Sequence, residues 1–68
     1  MTDFVLLNEK IKESGMTIKA IAEKSNIVRE TLYNRLNGKG EFTASEIVAL
    51  TKTLHLNKAE RETIFFSN

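Results

Sequence analysis

Between Thr17 and Gly38 the chain reads Thr-Ile-Lys-Ala-Ile-Ala-Glu-Lys-Ser-Asn-Ile-Val-Arg-Glu-Thr-Leu-Tyr-Asn-Arg-Leu-Asn-Gly, two short amphipathic patterns of helical period divided by a four-residue junction. No other stretch restricts the fold as strongly. A junction that short forces the second helix to cross the first at close range. A close crossing needs a small residue, and Ala22 sits in the middle of the first pattern to provide it. Ile21, Ile27, Leu32 and Leu36 supply apolar contacts, while Arg29, Glu30, Tyr33 and Asn34 are left to face outward. An ordinary surface helix requires neither the short junction nor the small residue.

The rest of the chain is punctuated only by glycine. Proline is absent, and the glycines stand at Gly15, Gly38 and Gly40, so long stretches are free to be helix. Thr2 or Asp3 can cap a first helix over about residues 3 to 14, with Phe4, Leu7 and Ile11 at helical spacing and Gly15 as a left-handed C-terminal cap. Thr17 caps a second helix through about Lys24, and Ser25-Asn26 makes the turn, asparagine being one of the few side chains tolerated there. The third helix is expected over about Val28 to Asn37. Thr43-Ala-Ser-Glu46 has capping-box spacing and opens a fourth, striped by Ile47, Leu50 and Leu54 with Val48 beside them, until His55-Leu56-Asn57 breaks the pattern. Asn57 and Glu60 repeat that spacing before a last helix from Lys58 to about Phe66. The expected fold is an all-α bundle of five helices containing a helix-turn-helix, with one domain over residues 1–68.

Composition excludes more than it assigns. The chain has 68 residues, no cysteine and one histidine, which removes disulfides, thiolate metal sites and cysteine nucleophiles. No Glu-X-X-His pair or carboxylate cluster at metal spacing is visible, so no enzyme, cofactor or small-molecule ligand is expected. His55 falls at a helix C-terminus, where an imidazole meets the dipole favourably, and is read as structural. Asn37-Gly38-Lys39-Gly40 lacks the strand and the full pattern of a phosphate-binding loop and is read as a helix stop. No apolar run is long enough to span a bilayer, and Met1-Thr-Asp-Phe lacks a signal peptide's basic region, so the protein is expected in the cytoplasm.

Charge adds one clue. The whole chain carries only +1. Between Thr17 and Gly40, however, Lys19, Lys24, Arg29, Arg35 and Lys39 face only Glu23 and Glu30, a local excess of +3 flanked by segments of −1 each. That distribution suits a DNA-binding face on one side of a small bundle. On the third helix Arg29 is able to pair with guanine and Asn34 with adenine; Tyr33 suits a phosphate or a thymine methyl, and Glu30 can accept from cytosine, repel wrong sequences, or simply neighbour Asn34 at i,i+4 with no base contact. Lys19 and Lys39 stand where backbone phosphates would lie. The terminal Ile64-Phe65-Phe66 has two readings. The phenylalanines close the core against helix one and Phe42, or they form an association surface. Neighbours on a helix point about 100° apart, so the three cannot share one buried face.

These residues carry a family resemblance. The Thr17-X-X-X-Ile21-Ala22 opening, the Asn26-Ile27 turn, Leu32 and the closing Leu36-Asn37-Gly38 resemble the Cro-type, lambda-repressor-like (XRE family) helix-turn-helix proteins of temperate bacteriophages. Gly40-Glu-Phe-Thr-Ala-Ser-Glu-Ile47, Leu54-His-Leu56 and Ile64-Phe-Phe66 look more narrowly like small Cro-like regulators from phages of Gram-positive hosts. The resemblance implies a lambda-repressor-like bundle and a repressor of the lysis–lysogeny switch that binds operator DNA through the third helix. It points to Arg29, Glu30 and Asn34 as base-reading positions, with Val28 and Thr31 as neighbours. The family usually has glycine where this chain has Asn26, and often glutamine or serine where it has Arg29 and Glu30. The resemblance also implies an alternative, since some small phage proteins of this type grip the lysogeny repressor itself. Arg29, Glu30, Phe65 and Phe66 are the candidate contacts for such a protein partner, and any weak homodimer is expected to form somewhere within these 68 residues.

Overall fold

Each of four helices begins at a polar side chain that accepts a hydrogen bond from the backbone three residues on. In the computed structural model, which describes residues 1–67, Asp3 rather than Thr2 opens α1 (Phe4–Ser14), taking the Leu6 N–H at 3.0 Å. Thr17 opens α2 (Ile18–Ser25) through the Ala20 N–H. Thr43 and Asn57 open α4 (Ala44–Thr53) and α5 (Lys58–Phe65), and both of these starts are complete capping boxes, with Glu46 and Glu60 reaching back to the cap N–H. The exception is α3 (Arg29–Leu36), whose N-cap, Val28, has no side-chain oxygen to offer. The expected helix over Val28 to Asn37 is thus one residue shorter at each end. The second element runs one residue past Lys24, and the fourth and fifth stop one residue before Leu54 and Phe66.

The ends of α1 to α4 depend on left-handed residues. Gly15 closes α1 at φ 71°. At the end of α2, Asn26 takes φ 54°, and the N–H groups of Asn26 and Ile27 return to the carbonyls of Glu23 and Ala22. Gly38 closes α3 in the same way, with its N–H on Arg35 and that of Lys39 on Asn34. The end of α4 is the unexpected one: His55 also takes φ 54°, its N–H reaching Lys52 while Leu56 reaches Thr51. This double hydrogen bond turns the chain so that the following apolar residue folds back on the helix. Leu56 is accordingly buried, although its segment reads only as a break in the pattern.

Five side chains are fully buried, and each helix provides one: Leu7, Ile21, Leu32, Leu50 and Ile64. They form a single cluster with Ala22, Ile47, Leu54, Leu56 and Phe65. α2 packs against α3 and α4, while α5 packs against α1 and α4. Burial of one such aliphatic side chain stabilises the fold by roughly 1.5–3 kcal/mol, so the core is built from a few large contributions. Leu36, expected to be as deep as Leu32, is only partly buried against the cluster, because it lies on the last turn of α3. Val48 is half-exposed, off the stripe it adjoins in sequence. Phe65 meets Phe42 edge-on, with ring centroids 5.3 Å apart and planes at 76°.

The two ends of the described chain are joined. The Asp3 N–H donates to the Ile64 carbonyl at 2.6 Å, and Ser67 Oγ donates to the carbonyl of Met1. Lys10 of α1 forms an ion pair with Glu60 of α5.

Candidate nucleic-acid interface

The α2–α3 corner is held from inside. Ala22 is almost fully buried, its carbonyl accepts the Ile27 N–H at 3.0 Å, and Ser25 Oγ donates to Thr53 Oγ1 of α4 at 2.8 Å. Ser25 is the buried polar residue of the core; sequence reading placed it in the turn and had no signal for its partner, which lies 28 positions away. A three-residue connection, Asn26-Ile27-Val28, then carries the chain into α3.

Leu32 anchors α3, so the residues on its far side face outward. Arg29, Glu30, Tyr33 and Asn34 are exposed together, and Val28 precedes them with 71% of its surface accessible. These five form one contiguous face. Lys19 joins it across a groove of about 420 Å³ lined also by Glu23, Asn26, Ile27, Val28 and Arg29. Lys39 is exposed just beyond the C-terminus of α3, in the loop that its own N–H ties back to Asn34 at 2.7 Å. Thr31 is set apart from the others. It is half-buried and lines a second groove, shared with Val28 but running toward Ser45 and Glu46 of α4.

The electrostatics of this face are mixed. Arg29 and Glu30 adjoin in the first turn of α3, where the partial positive charge of the helix N-terminus favours the carboxylate. Because Val28 supplies no capping oxygen, the first N–H groups of α3 lack the side-chain acceptor that the other four helices have. Such an N-terminus is suited to an external anion. Arg35 lies on the same helix but turns inward, its Nε donating to Glu46 at 3.1 Å. Sequence reading counted Arg35 only toward the local charge, since nothing in the pattern pairs it with a residue of α4.

A sequence model described as helix-turn-helix matches residues 7–60, from α1 through the first turn of α5. The chain belongs to the helix-turn-helix family. Proteins of this helix-turn-helix family are DNA-binding regulators of transcription. Comparison with curated proteins and with solved structures gives no significant match.

Away from α3, this helix-turn-helix chain presents the second set of expected contacts. Phe65, put forward as a partner contact, is a core residue instead, because Phe42 and the cluster beneath it enclose its ring. Phe66 is 56% exposed and lines a groove with Ala44, Ile47, Val48, Arg61 and Glu62. Among the described residues no helix is long and apolar enough to cross a membrane. Nor do any three histidine, cysteine, aspartate or glutamate side chains among them gather at metal-holding distance.

Proposed function

We propose that this protein is a Cro-like repressor of a temperate phage or prophage, a single-domain switch protein that works in the bacterial cytoplasm and binds operator DNA through α3. The observation that supports it best is the exposed face of α3, where Val28, Arg29, Glu30, Tyr33 and Asn34 stand together on a helix anchored from behind by Leu32. In this reading Arg29 pairs with guanine and Asn34 with adenine. Glu30 accepts from cytosine, Tyr33 meets a phosphate or a thymine methyl, and Val28 and Thr31 border the contact. Lys19 and Lys39 bind phosphates on either side and fix the register of the helix in the groove. Titration of the purified protein against DNA from its own control region tests the proposal. Tight, sequence-selective binding at physiological salt is expected, and equal affinity for unrelated DNA would refute it.

A second reading is favoured by one feature, the apolar groove around Phe66. Val48 and Phe66 are both more than half exposed, and Arg61 Nε beside them is buried without a hydrogen-bond partner. A protein seated there, either the lysogeny repressor or a second copy in a weak homodimer, would cover both apolar side chains and supply an acceptor. Adding the neighbouring repressor to the same titration separates the readings. Loss of a repressor complex on Phe66→Ala, with no operator binding by the protein alone, would favour capture over direct repression. Loss on Glu30→Lys would place the capture on α3.

A further inference from the structure

Arg35 follows Asn34 on α3 but contributes nothing to the exposed face. Its Nε donates to Glu46 Oε1 at 3.1 Å, and a terminal guanidinium nitrogen donates to the Lys39 carbonyl at 3.4 Å. The same Glu46 oxygen receives the Thr43 N–H at 2.9 Å. Lys39 is therefore held at both of its backbone groups, the N–H by the Asn34 carbonyl at 2.7 Å and the carbonyl by Arg35. The guanidinium also lies over Gly40, which has φ 85°; a Cβ there would come within 2.5 Å of its terminal nitrogen.

We propose that Arg35 is a positioning residue for DNA binding, clasping the Gly38–Gly40 loop to the start of α4 so that Lys39 presents its ammonium at a fixed place. The proposal rests on the DNA-binding reading above. Its physical basis is the freedom of the loop. Lys39 stands between two glycines, which lose more conformational freedom on ordering than any other residue, and a long side chain on a loose loop must be ordered again when it meets a phosphate. The clasp meets that cost during folding. Arginine suits the task because its planar fork aims donors in two directions at once, toward Glu46 and toward Lys39, whereas a lysine ammonium acts as a single point.

Arg35→Lys keeps the charge beside Glu46 and removes the fork. In the free protein the Lys39 amide should then exchange its hydrogen about tenfold faster, while the core amides of α1 and α5 keep their protection. On control-region DNA the affinity should fall about three- to tenfold with an unchanged salt slope, because no phosphate contact has been deleted. In a Lys39→Ala background the same substitution should have no further effect on DNA binding, since residues that act through one another are not additive. Gly40→Ala should likewise speed Lys39 exchange, both by displacing the guanidinium and by straining the left-handed backbone at Gly40. Unchanged Lys39 exchange would overturn the clasp. A salt slope reduced by about 0.9 would make Arg35 a phosphate contact in its own right. A full loss persisting in the Lys39→Ala background would make it a general support of the fold. Wild-type protein that binds no DNA would remove the DNA-binding reading and the clasp's role in it, and the exchange result would still decide whether the clasp exists.

Discussion

Asn26 and His55 share a φ of 54°, and they are the non-glycine residues in the left-handed region among those described. Such a conformation costs an L-residue roughly 1–2 kcal/mol, less for asparagine, whose side chain bonds locally. The Ser25-Asn26 turn was legible for that reason. His55 was read at a helix C-terminus, but its left-handed backbone was not, since nothing in the His55-Leu56-Asn57 pattern marks the histidine as the residue that turns the chain. His55→Gly should therefore stabilise the protein by about 0.5–1 kcal/mol, the relief of strain exceeding glycine's entropic cost. Thermal unfolding checks it, with a rise of a few degrees expected and no change in DNA binding. At the exposed face, Arg29→Ala should cost about 1–3 kcal/mol on the operator and relax preference at one base position. Lys39→Ala should weaken all DNA alike and lower the salt slope by about one unit. Binding isotherms on operator and random DNA at several salt concentrations distinguish the two; equal losses on both for Arg29→Ala would contradict its assignment.

At the scale of the helix, the capping boxes reach further than their spacing tells. Glu46 and Glu60 were readable as N3 partners of Thr43 and Asn57, and both serve so. Each also holds a cation from another helix, Arg35 on Glu46 and Lys10 on Glu60. Those second contacts join residues 11 and 50 positions apart, outside any local pattern. The α1–α5 pair has a pH signature. The Lys10 ammonium, aided by the Asn57 N–H, holds the Glu60 carboxyl below its ordinary 4.5. Hydrogen bonding to Glu60, then the charge of Glu13, raises Lys10 above 10.5 despite partial desolvation. A depressed carboxyl stabilises the folded state above its unfolded pKa and loses that contribution as pH falls through the folded value; a raised ammonium does so below its unfolded pKa and loses it as pH rises. The stability difference between wild type and Lys10→Met should be level from about pH 6 to 9 and shrink outside that window. Denaturant titrations across pH would show it. A difference independent of pH would mean that Lys10 acts through packing alone.

Over the whole molecule, stability rests on one fully buried side chain from each helix. Leu32 is the one that belongs to α3, so it links the exposed reading face to the core beneath. Leu32→Ala should cost roughly 2–5 kcal/mol, a large part of what so small a chain commands. DNA binding should disappear with the fold. Thermal melts would decide, and a variant that kept its melting temperature would show that Leu32 is not the anchor of α3. Arg29→Ala provides the contrast, since it should reduce DNA affinity at an unchanged melting temperature. Leu7, Ile21, Leu32, Leu50 and Ile64 all lie on stripes or clusters visible in the sequence, because helical period alone brings such residues to one face.

The sequence by itself determined the five helices, the caps at Thr17, Thr43 and Asn57, the close crossing at Ala22 and the outward set on α3, because propensity, capping and period act within a few residues of chain. Only the tertiary structure decided which helices meet. It selected Phe65 for the core and left Phe66 at the surface, folded Leu56 inward through a left-handed histidine, and paired Ser25 with Thr53. It also turned Arg35 from a plausible member of the basic face into a tie to Glu46 and Lys39. The physical reason is the same in each case. A side chain's direction follows from its own helix, but whether it finds solvent, a ring or a carboxylate depends on residues far along the chain that packing alone brings near.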